Sequence, residues 1–364
     1  MPKLSFVDKF LPVWILGCMI LGVLLGVYVP SVKEKLNTVT LADVSLPTAI
    51  GLLWMMYPVL CKVRYEALVI ILKEKDIKRQ IMISLIINWI IAPLFMTAIA
   101  WATLPDLPEY RSGVILVGTA RCIAMVLIWN NLAGGDIEYC AILVAINSLL
   151  QIGLYGPLSY FYVVIVGHGS DVGINMWIVV RSVLVFLGIP LLAAVITRLT
   201  LRRVFGKQWY DNKFLPTIGF TSLLGLLFVI VVMFSSQGYE IVHDIGNVFR
   251  VMVPLVVYFA IIFFATLYLC HYLCIPYPTA VTQCFTAASN NFELAIAVAV
   301  GSYGIDSKEA LAATIGPLIE VPVLVALVYV IMSLRTKWYE KKIVQCEDEK
   351  CKASAISTPV DLPN

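Results

Sequence analysis

The most chemically suggestive residues of the chain are an arginine and a cysteine side by side, Arg121-Cys122, inside the apolar run Gly118 to Trp129 (GTARCIAMVLIW). A guanidinium is always charged and carries five donors, and a neighbouring cation favours thiolate over thiol. The pair suits a soft, thiophilic ligand. The plainer readings are a small buried hydrophobe for Cys122 and, for Arg121, an ion pair with Glu293 that only fixes packing. Glu293 and Glu320 are the two carboxylates that fall well inside apolar segments. A carboxyl in low dielectric can exchange a proton near neutral pH, as proton coupling requires; each could instead pair with Arg121 or Arg181. Asn88, Asn147, Gln151, Asn290 and Asn291 could line the same cavity, with helix-to-helix hydrogen bonding the simpler expectation for Asn88 and Gln151. Trp89, Trp101, Trp129 and Tyr155 read as interfacial or packing aromatics. Cys270 and Cys274, spaced i and i+4, read as packing, and the three histidines show no ligand spacing.

The elements that hold these residues belong in a bilayer. Of 364 residues 60% are hydrophobic and 13% charged, with a mean hydropathy of +0.91, whereas soluble domains are roughly 25% charged. A net charge of +3 is too small for a polyanion binder, which excludes nucleic acid. Nine cysteines, an odd number scattered through apolar segments, are no disulfide framework. There is no HExxH, CxxC or Walker sequence, so no resident metal or cofactor is expected and any transport is secondary. A bilayer core needs about 20 apolar residues per helix. Ten stretches qualify: 10–29, 44–61, 80–104, 113–133, 139–166, 175–198, 214–234, 247–270, 279–301 and 309–333. Basic residues crowd the second and sixth connections (Lys62, Arg64, Lys73, Lys75, Lys78, Arg79; Arg202, Arg203, Lys207, Lys213) and the tail, which puts both termini in the cytoplasm. Residues 345–364, with Cys346 and Cys351, read as a disordered cytoplasmic tail.

The two halves match weakly but in order. Leu46-Pro47-Thr48 corresponds to Leu215-Pro216-Thr217, Ala92-Pro93-Leu94 to Val253-Pro254-Leu255, and Gly134-Gly135-Asp136 to Gly304-Ile305-Asp306, at offsets of 169, 161 and 170 residues. An odd number of spans per unit inverts the second copy. The expected fold is therefore an all-α membrane protein with ten transmembrane helices as two inverted five-helix repeats, 1–167 and 168–344. Inverted repeats suit alternating access, with the substrate site at mid-membrane between discontinuous helices. Spans 4 and 9, which carry Arg121-Cys122 and Ser289 to Glu293, are the most polar and should be those crossed, broken helices.

Tyr57 to Glu66 (YPVLCKVRYE), Asn88-Trp89, GTARCIAMVLIW, Gly134-Gly135-Asp136, Ser289 to Leu294 (SNNFEL) and Gly316 to Pro322 (GPLIEVP) together resemble the arsenical-resistance arsenite efflux permeases of the bile acid, arsenite and riboflavin transporter superfamily. The likeness runs from about Phe6 to Leu334 and, in its finer details, points to the fungal branch. It implies a panel domain (spans 1, 2, 6 and 7) and a core domain (spans 3–5 and 8–10). It also implies export of arsenite, with antimonite as a second substrate, driven by proton antiport rather than by a cofactor. By position, Cys122 is then the essential thiol, Glu293 the broken-helix glutamate and Glu320 a further acidic residue. Arg121, Asn88, Trp129, Asn147 and Asn291 fall at positions the family treats as functional. The expected home is the plasma membrane, with a vacuolar membrane as the alternative; no obligate protein partner is implied. A sodium-coupled organic-anion symporter of the same superfamily is the rival reading, though two lone glutamates are thin for a Na⁺ site. An intramembrane cysteine enzyme is disfavoured because no histidine lies mid-span to act as its base.

Overall fold

The computed structural model describes residues 10–29, 31–36, 38–41, 44–63, 75–123, 125–167, 176–304 and 307–343. The tail 345–364, Arg64, Lys73, His168 and the pair Ile305-Asp306 lie outside them. Apart from a two-stranded antiparallel ribbon, β1 (Thr40–Leu41) and β2 (Val44–Ser45), the regular elements are helical. Besides a short helix Ser31–Leu36, they are α1 (Leu11–Tyr28), α2 (Leu46–Cys61), α3 (Ile77–Thr103), α4 (Pro108–Thr119), α5 (Met125–Leu132), α6 (Ile137–Val166) and α7 (Trp177–Val204). Then come α8 (Lys207–His243), α9 (Ile245–Tyr272), α10 (Tyr277–Ala288), α11 (Phe292–Tyr303) and α12 (Lys308–Ile343). Six of these, α3, α6, α7, α8, α9 and α12, are long and apolar enough to cross a membrane; α1, α2 and α11 are shorter and apolar.

Three prolines shape these long helices in one way. Pro93, Pro190 and Pro216 each follow a wide π-turn, at Ile87–Ile91, Leu184–Gly188 and Tyr210–Phe214. Proline donates no hydrogen bond and its ring crowds the carbonyl four residues back. Widening the preceding turn, with Ala92 bonding back to Ile87, relieves that crowding without breaking the helix. The bulge in α3 is also what presents Asn88 and Trp89.

α8 packs against α1 and α2, and α2 against α7. The α1–α8 seam is built on small residues: a Cβ on Gly26 would meet Gly238 Cα at 3.0 Å, and one on Gly238 would meet Val23 O at 2.8 Å. Without a hydrophobic driving force between helices in lipid, such close backbone approach supplies the packing. A second set joins α3, α4, α9, α10, α11 and α12, with α4 and α11 both lying on α12. Large apolar side chains such as Val13, Ile20, Leu192, Leu199, Phe249 and Ile261 face outward, on the scale expected of a lipid-facing surface.

Candidate functional site

Sequence spans 4 and 9 are each interrupted, as expected. α4 stops at Thr119 because Ala120 turns extended (φ −83°, ψ 121°), and α10 stops at Ala288 because Ser289 does the same (φ −78°, ψ 146°). The interrupted segments meet: Arg121 and Asn290 form an antiparallel bridge. The Asn291 N–H donates to Ala120 O at 3.2 Å, and Asn290 Nδ2 donates to Val117 O at 2.9 Å and Ala120 O at 3.1 Å. Gln151 of α6 clamps the same peptide from its other edge. Its Oε1 accepts from Arg121 N at 3.1 Å and its Nε2 donates to Arg121 O at 2.8 Å.

Four helix ends therefore face one another. At the two C-terminal ends sits the Arg121 side chain, fully buried. It donates to Gly118 O, and at 3.2 Å to the Tyr258 hydroxyl, which donates onward to Ala287 O at 3.1 Å. No described carboxylate pairs with it. The ion pair with Glu293 that sequence left open is absent, and so is a guanidinium turned toward the neighbouring thiol.

The two N-terminal ends carry Cys122, Asn291 and Glu293. Cys122 Sγ accepts from Val126 N at 3.3 Å, so the thiol caps α5; Asn291 Oδ1 accepts from Leu294 N at 3.1 Å, so the amide caps α11. Both serve the unpaired amides of a helix start. Glu320 comes in from α12, 2% exposed, facing Ser289 and the Asn290 amide and within electrostatic reach of Glu293 and Cys122. Glu293 is enclosed on most sides yet keeps open surface toward a narrow cavity with room for about one water. That cavity is lined by Leu52 and Met56 of α2, Phe186 and Leu187 of α7, and Asn291 and Leu294. A larger cleft, about 220 Å³, opens at the Lys62 end between α2, α8 and α5 and reaches Met125, at the start of the helix that Cys122 caps.

Several buried polar atoms at and around the breaks have no hydrogen-bond partner: Arg121 Nε, Ser289 Oγ, Asn290 Oδ1, Asn291 Nδ2 and Glu320 Oε1. Most buried polar groups are satisfied, and a set left open suits a site that handles a polar ligand or water. Trp129 Nε1 and Asn147 Nδ2 are likewise buried and open. Asn147 Oδ1 is used, accepting from Trp89 Nε1 at 3.1 Å. Asn88 corrects the expectation made for it: its Nδ2 donates within its own helix, to Ser84 O at 2.8 Å, while its Oδ1 has no partner. Tyr258 is the site residue that sequence reasoning missed. The available signal was a tyrosine in the middle of an apolar span, where a buried hydroxyl must find a partner.

An apolar-surfaced helical protein whose polar groups converge on two paired helix breaks has the build of a membrane transporter, not of an enzyme. The model of the Sodium Bile acid symporter family matches residues 49–244. The chain is also 46% identical to the arsenical-resistance protein Acr3 of Corynebacterium glutamicum over 342 residues, 93% of this chain and 92% of the relative. It is 32% identical to the arsenical-resistance protein Acr3 of Alkaliphilus metalliredigens (92% and 95% covered) and to an uncharacterized transporter of Synechocystis (89% and 88% covered). The chain belongs to the Sodium Bile acid symporter family and, within it, to the arsenical-resistance branch. The placement with the fungal members is not borne out, since these relatives are bacterial.

Proposed function

We propose that the protein exports arsenite from the cytoplasm by proton antiport, with antimonite as a second substrate. The observation that carries this reading is a thiol held on a helix start, beside two carboxyls, at the crossing of two broken helices. Sulfur is a preferred donor for soft centres, and the arsenical-resistance relatives supply the substrate class. In this reading the cleft at the Lys62 end faces the cytoplasm, in keeping with the basic residues there. As(OH)₃ enters between α2, α8 and α5 and meets the Cys122 thiol and the open amides of Asn290 and Asn291. Arg121 holds the break in place. Glu293, open to the cavity, and Glu320, enclosed behind it, carry the proton that resets the cycle. Asn88, Trp129 and Asn147 complete the polar lining.

The same reading takes the chain as ten spans in two inverted repeats. The α1, α2, α7 and α8 helices form the panel, and the remainder forms the moving core in a plasma-membrane protein with cytoplasmic termini. No cofactor is needed, because the proton gradient is the energy source. The deciding experiment is radiolabelled arsenite uptake into everted vesicles under an imposed pH gradient, for wild type, Cys122→Ala and Glu293→Gln. Gradient-driven uptake lost in both variants supports the proposal. Uptake indifferent to both substitutions, or to the gradient, refutes it.

A further inference from the structure

The family that this chain belongs to is named for sodium symport, and in transporters with broken helices Na⁺ is bound by unwound carbonyls and by the C-terminal ends of half-helices. The crossing here has just those groups, the ends of α4 and α10, and each of their carbonyls named above already has a partner. Val117 O and Ala120 O are taken by Asn290 Nδ2, Gly118 O by the Arg121 guanidinium, and Ala287 O by the Tyr258 hydroxyl to which Arg121 donates. Leu116 O, one turn earlier, accepts from Thr119 Oγ1 at 2.8 Å and Tyr155 OH at 3.2 Å. The carbonyls best placed to hold a sodium ion at these helix ends are thus already engaged by the chain's own donors.

The charge count points the same way. Each helix C-terminus is worth about −0.5 elementary charge, so two converging ends amount to about −1. On that side of the crossing one guanidinium is the matching charge, the two helix starts opposite carrying a comparable positive charge of their own, and no described carboxylate competes for it. An arginine buried among helix ends with no anionic side chain beside it is explained if those ends are themselves its counter-ion.

We propose that Arg121 is a tethered cation standing in the place of a coupling sodium ion, which makes this transporter independent of Na⁺. The opposite half of the crossing, where Glu293 sits in the first turn of α11 and Glu320 comes in from α12, is then left to protons. The inference rests on the family and on the crossing geometry, not on the identity of the cargo, and its test reads sodium without arsenite.

The experiment is thermal unfolding and ²²Na⁺ binding of the purified full-length protein, in NaCl against N-methyl-D-glucamine chloride at equal ionic strength, for wild type, Arg121→Ala and Arg121→Gln. Wild type is expected to bind no ²²Na⁺ and to melt at the same temperature in both salts. Removing the guanidinium opens the carbonyl cage. The variants should then bind ²²Na⁺ and melt about 3 °C or more higher in saturating Na⁺ than in its absence. If Arg121→Ala is recovered folded only when extracted in NaCl, that selective rescue counts as the same result. Sodium binding by wild type overturns the proposal. So does an equal melting temperature of both variants in the two salts, or failure of both to fold in either.

Discussion

Gln151 offers the sharpest test of how the crossing is held. Its amide makes two hydrogen bonds to the backbone N–H and C=O of Arg121, at 3.1 and 2.8 Å, and is fully buried. Gln151→Met keeps the volume and removes both bonds, leaving the Arg121 N–H and C=O without partners in a site with few others to offer. A buried orphan of this kind costs about 1–3 kcal/mol, so two cost about 2–6. Relaxation of the surrounding side chains recovers part of this, for a net loss of about 2–4 kcal/mol. For a chain of this size that is a fall in melting temperature of roughly 3–5 °C. Cys122 lies one residue beyond the clamp, so its alkylation by a maleimide in the folded state should accelerate at least tenfold. The measurement is differential scanning fluorimetry in detergent alongside the alkylation rate. A variant within 1 °C of wild type, alkylating at the wild-type rate, would mean that Gln151 is ordinary helix-to-helix packing.

Two further outcomes are expected. A Cβ on Gly316 would overlap the ring of Phe292, itself 1% exposed and the first residue of α11. Gly316→Ala should therefore cost about 1–3 kcal/mol, read as a lower melting temperature, and Phe292→Leu in the same chain should return part of it. In the connection between α3 and α4, the Asp106 carboxyl is held below its ordinary value by Arg250, chiefly through their hydrogen bond. A depressed folded pKa stabilises above the unfolded value and is lost as pH falls through the folded one. Any melting-temperature gap between wild type and Asp106→Asn should thus be present at pH 7 and close below about pH 4; a gap that widens in acid contradicts this.

Much of the architecture was legible because lipid forces it. The ten apolar stretches each coincide with a helix or a broken pair, and the polar runs at Arg121 and Asn290 mark both breaks. The bonding partners were not legible. Adjacency suggested that Arg121 serves Cys122, yet consecutive residues in an extended segment point opposite ways, and the guanidinium turns to the helix ends instead. Glu293 and Glu320 were found from charge in an apolar setting, but only packing tells that one meets a cavity and the other is enclosed. Asn88 looked like a helix-to-helix donor, and it donates instead to the carbonyl one turn back in its own helix. Tyr258 carries no sequence signal beyond its hydroxyl, because its role is defined by a carbonyl 29 residues away.

The pairing of the two breaks bears on how the protein is made. Val117 O and Ala120 O receive their side-chain donor from a residue 173 and 170 positions further along the chain. When α4 and α5 first emerge from the ribosome, neither Asn290 nor Tyr258 exists. Arg121 must wait with the open helix end in hydrocarbon or in the insertion machinery, where a charge and a bare carbonyl are both costly. The first half cannot settle before the second arrives. Truncated or stalled chains ending before residue 290 should be selectively recognised by membrane quality control, and assembly of this site is a late, whole-chain event in the biogenesis of the protein.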